Sequence, residues 1–270
     1  MSSLSPNEVA VFSYPGGKLV GELKNDMGQP AGECVDKAGD VFIVTQPYAA
    51  GSAQIFEYGH GARKPTAILQ DGPGESYSYI PLGCAIDPTT GNLAVTNNTQ
   101  LPPYGPGNVA IWQGARGLAK YYYDPHVAYP AYCIYDDKGN LFIDGSRTNV
   151  SISYTYGELP RRSSTFRPIR LHEMMHPAGL QWDHDRLSIG NLSTKIYRFE
   201  IRGKKGIETG LVTLNQADED SQFFVLGNVL VAANAGSNTV MFWNWPAGGN
   251  PTKAISVDFI PFGVAISLAK

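Results

Sequence analysis

Short apolar runs alternate along the whole chain with clusters of Gly, Pro, Asn and Asp. Residues 81–112 show the unit most fully: PLGCAID, a turn at PTTGN, then LAVTN, and later NVAIW. Runs this short, bounded by turn formers, read as strands rather than helices. No stretch carries an amphipathic helical pattern longer than two turns, so the predicted fold is all-β.

The unit repeats. An aromatic stands near the end of the third run at Phe12, Phe56, Trp112, Tyr154, Tyr197 and Trp243, with spacings of 44, 56, 42, 43 and 46 residues. A second aromatic follows two residues later in every copy except the one at Gly114. A period in the forties is that of propeller blades, each a four-stranded antiparallel sheet. Six copies predict six blades in a single domain spanning residues 1–270. First runs open on Pro30, Pro81, Pro130, Pro177 and Pro261, and four of them close on Asp36, Asp87, Asp136 and Asp183. Pro suits the first residue of a strand, and Asp followed by Gly-Asn or Gly-Asp suits a tight hairpin. Second runs begin at Val41, Leu93, Leu141, Leu187 and Val229; fourth strands are expected at residues 67–69, 119–122, 211–214 and 253–257. The last unit stops after its first run, whereas the chain begins with third and fourth runs at residues 8–14 and 19–23. The two ends are therefore predicted to pair in one blade and close the ring, its second strand falling around Met1 or just before it.

Composition narrows function by exclusion. With 43% hydrophobic and 17% charged residues the chain can bury a large core. A net charge of -3 gives no pull toward nucleic acid or an anionic membrane surface. No apolar run approaches the roughly 18 residues of a membrane span, and the first residues lack the pattern of a signal peptide. A soluble monomer is expected, in the cytoplasm or outside it with a leader removed. Cys34, Cys84 and Cys133, an odd count inside first runs, read as small core residues rather than a disulfide framework.

The repeated P-x-G-x-x-x-D…G-N-L-x-V…x-V-x-x-aromatic pattern resembles that of the six-bladed NHL, SMP-30/gluconolactonase and strictosidine-synthase-like propellers, and most of all bacterial members without assigned chemistry. The pattern covers almost the whole chain. It implies an architecture more than an activity, since that fold hosts lactonases, lyases and pure binding modules.

Loops entering each first strand and leaving each second strand converge on one face around the channel, the usual ligand site of a propeller. Second runs end at Gln46, Asn97, Asp144, Asn191 and Asn234, and Tyr129 precedes Pro130. This polar ring is the expected binding surface for a small molecule, glycan or peptide. The lactonase resemblance implies a channel cation held by oxygen ligands, which maps onto Asn97, Asp144 and Asn191 and suits Ca²⁺ or another divalent ion. Its Glu ligand has no secure counterpart, Glu33 being the nearest acid on a first strand. The competing reading is that these amides satisfy turn backbone.

Residues 172–176 spell HEMMH, the zincin spacing. Pro177 follows directly and disfavours helix at His176, which argues against a protease. His126, His172 and His176 are instead expected on the channel face close to Asp144, forming an acid–base set. The alternative is surface-loop histidines packed on Tyr129 and Tyr132. Tyr77, Tyr79 and Tyr121 to Tyr123 read either as a stacking surface or as interblade packing. Arg161, Arg162, Arg167 and Arg170 read as a solvated connection, and His60 and His184 as turns on the opposite face. Two classes remain: a binding or scaffold propeller without chemistry, and a lactonase, hydrolase or lyase using the channel site. The incomplete set of metal ligands favours binding.

Overall fold

The computed structural model describes residues 1–4, 7–23, 28–47, 53–72, 78–101, 105–148, 154–172, 175–191, 193–218 and 220–268. Among these, the regular elements are strands apart from two single 3-10 turns. Sheet 1 holds β1 (Ser2–Leu4), β2 (Asn7–Phe12) and β3 (Leu19–Leu23). Sheet 2 holds β4 (Gln29–Val35), β5 (Val41–Gln46), β6 (Ala53–Tyr58) and β7 (Ala67–Asp71). Sheet 3 holds β8 (Ser78–Ile86), β9 (Leu93–Leu101), β10 (Gly105–Trp112) and β11 (Lys120–Tyr122). Sheet 4 holds β12 (Tyr129–Tyr135), β13 (Leu141–Ser146), β14 (Tyr154–Leu159) and β15 (Arg167–Ile169). Sheet 5 holds β16 (Pro177–Asp183), β17 (Arg186–Asn191), β18 (Lys195–Arg202) and β19 (Lys205–Thr213). Sheet 6 holds β20 (Asp220–Leu226), β21 (Val229–Asn234), β22 (Thr239–Asn244) and β23 (Gly248–Ser256).

Each sheet is an antiparallel meander, and first strands of successive sheets pack on one another from β4 through β8, β12 and β16 to β20. This is a β-propeller. The expected count of six four-stranded blades is corrected: five blades have four strands, and sheet 1 has three. The physical reason lies in residues 261–268, expected as an inner strand, which form no ladder comparable to those of β4 or β8.

The repeat works through two local devices. In the hairpins, Asp36 Oδ1 accepts the N–H groups of Ala38 (2.7 Å) and Asp40 (2.9 Å) while Gly39 takes φ 88°. Asp136 does the same for Lys138 and Asn140, with Gly139 at φ 83°. In the first strands, register shifts after Pro30, Pro81, Pro130 and Pro177, and again after Asp220. This bulge lets inner strands approach closely: a Cβ on Gly32 would stand 2.3 Å from the Leu82 carbonyl.

The same contacts recur where the chain ends meet. Thr96 Oγ1 accepts the Gly83 N–H (3.1 Å) and donates to the Ala131 carbonyl of the next blade (2.6 Å). Ser2 Oγ accepts the Gly263 N–H (2.9 Å) and donates to the Ala31 carbonyl. Ser2 N–H also bonds Gly263 O (3.1 Å), and Phe262 N–H bonds Ser2 O (3.0 Å).

Other expectations need correction. Cys34 and Cys84 form a disulfide, with Cα atoms 5.6 Å apart, joining the inner strands of sheets 2 and 3. Spacing alone missed it because the two cysteines sit one register position apart on neighbouring strands. Cys133 remains free and buried. Arg167 belongs to β15 rather than to a solvated connection, and its guanidinium grips buried Glu158 in a two-point bond of 2.8 and 2.6 Å.

Candidate functional site

The channel-face ends of the second strands fall out of the strand register. Asn97 faces Pro81, Asn191 faces Pro177 and Asn234 faces Asp220, whereas Pro130 faces Gly145. Asp144 is thus one residue deeper than the asparagines and points to the other face of its sheet. Asn97 does not end its strand either, because β9 continues to Leu101. Gln46 lies one residue beyond Thr45, the partner of Pro30.

Most of these polar side chains tie down main chain, as the turn-satisfying reading anticipates. Asn191 Oδ1 accepts the His176 N–H at 2.8 Å. Asn234 accepts from Asp218 N–H (2.9 Å) and donates to Gln216 O (3.1 Å). Gln46 Nε2 reaches Pro81 O in the next blade at 3.3 Å. Asn97 Nδ2 instead donates to the Asn108 side chain at 3.0 Å.

Asp144 is fully buried, and its Oδ1 accepts the Tyr132 N–H at 2.8 Å. Tyr132 sits at the bulge, so Asp144 does for sheet 4 what Thr96 does for Gly83 in sheet 3. Oδ2 has no hydrogen-bond partner among the described residues. Burial pushes the carboxyl up to about 7 against the opposing pull of the Tyr132 N–H. Burial and the nearby Asp144 also raise the Cys133 thiol, making it a poor nucleophile.

The histidines take other partners. His126 is exposed, and its Nδ1 lies 3.2 Å from Asp124 Oδ1, whose carboxylate is buried. His172, expected at the channel rim, pairs with Glu208 of the outermost strand β19 (3.0 Å) and meets the Phe199 ring edge-on. The cause is local: Arg170 N–H bonds Lys204 O, and Gly206 N–H bonds Arg170 O, laying this segment along the start of β19. His176 packs on Tyr154 with ring centroids 4.8 Å apart and planes tilted by 56°. No described hydrogen bond or ion pair joins any of the three to Asp144. Glu173 of the HEMMH run and Tyr77 lie outside the described residues.

The structure does bring several of the expected residues together at one rim position. Tyr129 pairs with Ser146, which pairs with Tyr154. Thr155 Oγ1 bonds the His126 carbonyl at 2.7 Å, and Tyr154 contacts His176. Tyr154 and His176 are thus in ring contact at the edge of sheets 4 and 5, with Tyr129 two strands away across sheet 4 and His126 joined through its carbonyl while its ring faces Asp124. Both imidazoles are exposed and both tyrosines half-buried. Tyr154 was read from the sequence only as a strand anchor.

A second buried acid escaped sequence reading. Asp71, at the end of β7, is fully buried and receives the Tyr121 hydroxyl at 3.3 Å, while that hydroxyl accepts Gly72 N–H at 2.9 Å. Burial pushes Asp71 up to about 7, with Asn97 and Tyr121 opposing. Asp71 Oδ2, Asn97 Oδ1 and Asn108 Nδ2 lack hydrogen-bond partners among the described residues. The acid follows a weak fourth strand and has no counterpart in the repeat, so periodicity could not flag it.

These residues do not fit the implied cation. Asn191 and Asp144 each spend an oxygen on main chain, Asp144 faces away from the asparagine layer, and Glu33 is engaged by the Met1 ammonium at 3.1 Å. No group of three or more His, Cys, Asp or Glu among the described residues is arranged to hold a metal.

No family model and no curated protein matches this chain. Among solved structures it is similar to a chain in "Crystal structure of Nidogen/Laminin Complex", with a TM-score of 0.74 and 13% identity over 100% of this chain and 97% of that one. At that identity the likeness shows the propeller fold and leaves NHL or SMP-30 membership without further support.

Proposed function

We propose that the protein is a binding propeller without chemistry, presenting the His126, Tyr129, Tyr154 and His176 group to a glycan, peptide or small molecule. One observation carries this reading: the rim exposes aromatic and imidazole surface while its acid, Asp144, is buried beneath and engaged with Tyr132. Stacking faces beside rotatable N–H donors bind without needing a reactive acid. That a similar propeller occurs in a Nidogen/Laminin complex is in keeping with a protein-binding role.

Two structural readings accompany it. Residues 261–268 serve sheet 1 as a rudimentary inner strand, so that a sixth blade closes the ring and the chain forms one domain. The buried Cys34–Cys84 bridge favours an oxidising, extracytoplasmic setting.

The test is a glycan and peptide array probed with the labelled protein and with His176→Ala and Tyr154→Ala. Loss of the retained signal by tenfold or more, with unchanged melting, is expected. Unaffected binding in both variants, or lactone turnover that depends on His176, would overturn the proposal.

A further inference from the structure

A polar seam runs between sheets 2 and 3. Asp71 closes β7, the outermost strand of sheet 2, and lies against Asn97 of β9 and Tyr121 of β11. Asn97 faces Asn108 of β10 in the ladder, and Asp71, Asn97 and Asn108 are each exposed by 1% or less. Only half of each group is used. Asp71 Oδ1 accepts the Tyr121 hydroxyl at 3.3 Å, and Asn97 Nδ2 donates to Asn108 Oδ1 at 3.0 Å. The other two oxygens, Asp71 Oδ2 and Asn97 Oδ1, have no hydrogen-bond partner among the described residues. A buried acceptor without a donor is costly, and a buried carboxylate more so.

Charge decides what this seam can take. Other buried acids of these sheets meet a base: Glu57 faces Arg116 at 2.7 Å, Glu158 faces Arg167 at 2.6 Å, and Asp124 faces His126 at 3.2 Å. Asp71 meets only an amide and a hydroxyl, those of Asn97 and Tyr121. Asp144 lacks a base too, but no unpartnered amide oxygen is tied to it. Tyr79 and Tyr121, whose rings lie 5.7 Å apart, have hydroxyls that burial raises, so both stay neutral. One carboxylate among neutral oxygens balances one positive charge. A divalent ion would leave an uncompensated charge buried beside the Asn108 Nδ2 donor. The unpartnered atoms are sealed from solvent, which excludes a bulky organic cation. A small hard ion suits a set of oxygen ligands. Because Asn97 reaches outward to β10, the seam is separate from the channel ring.

We propose that Asp71 Oδ2 and Asn97 Oδ1 bind one monovalent cation of the size of sodium, which ties β7 of sheet 2 to β9 and β10 of sheet 3. The ion complements the Cys34–Cys84 bridge, which joins the same two sheets at their inner strands.

The probe is sodium chloride, titrated at pH 8 against choline chloride at constant ionic strength, with thermal unfolding of the whole chain as the readout. An ion bound only by the native state raises the melting temperature steadily with its concentration. That rise is expected for the parent, and Asp71→Asn should need at least tenfold more sodium to reach it. The sodium NMR line should broaden on adding the parent and stay sharp with Asp71→Asn. Should Asp71→Asn fail to fold, Asn97→Leu, which removes the amide oxygen and nearly keeps the volume, serves in its place. Equal melting of the parent in sodium and choline overturns the site, as does an equal rise in parent and variant. A larger rise in calcium chloride than in sodium chloride at equal concentration would overturn the monovalent assignment.

Discussion

A single carboxyl shows how position outweighs residue type. Asp144 reads in the sequence as a channel ligand, yet register turns it inward, where it caps the bulged strand at Tyr132. Its native pKa of about 7 lies above the unfolded value of 3.8. The native state therefore holds the proton more tightly, and stability from this group is full below pH 4 and lost as pH rises through 7. The shift corresponds to a loss of about 4 kcal/mol at most. Asp144→Asn should remove that dependence, so urea unfolding at pH 5 and pH 8 should show a smaller fall for the variant than for the parent. An equal fall would mean that Asp144 is not held protonated. Ser2→Ala offers a second residue-scale check. Its hydroxyl makes two buried bonds, so the substitution should cost about 1–3 kcal/mol, comparable to Thr96→Val; the urea midpoints of both variants measure this.

At the scale of elements, the strands were legible because apolar runs and turn residues obey one period throughout. The first two strands of sheets 2 to 6 fall close to where PxG and GN signals put them, and the aromatic stands near the end of the third strand in sheets 2, 3 and 6, but Tyr154 opens β14 and Tyr197 stands early in β18. Outer strands were less so: β15 hides in an Arg-rich stretch, since Arg167 is recruited by a buried glutamate rather than by an apolar face. The site was less legible still. Asp144 leaves the layer of the asparagines because it is the fourth residue from Leu141, whereas Asn97, Asn191 and Asn234 are the fifth from Leu93, Leu187 and Leu230, and where His172 goes depends on main-chain bonds to the neighbouring blade. The disulfide belongs to this scale as well. It closes a separation of 50 residues between two inner strands, for which chain entropy gives about 4 kcal/mol. Reduction, or Cys34→Ala with Cys84→Ala, should lower the urea midpoint accordingly. An unchanged midpoint would show that the inner strands of sheets 2 and 3 need no staple.

For the whole molecule, the central question is how the ends meet. Five four-stranded blades cannot shield their two outer flanks without further structure between sheets 6 and 2, and an open flank exposes apolar faces. On the proposed closure, sheet 1, Ser2 and residues 262–263 fill that place; Gln222 of β20 accepts the Glu33 N–H (3.1 Å) and donates to Glu33 O (2.8 Å) across the inner end. The most direct measurement is amide hydrogen exchange at Phe262 and Gly263 by NMR. Exchange as slow as at Gly83, and accelerated at Gly263 in Ser2→Ala, is the expected result. Exchange at both amides at the rate of an unstructured chain would contradict the shared sheet and, with it, the closed propeller.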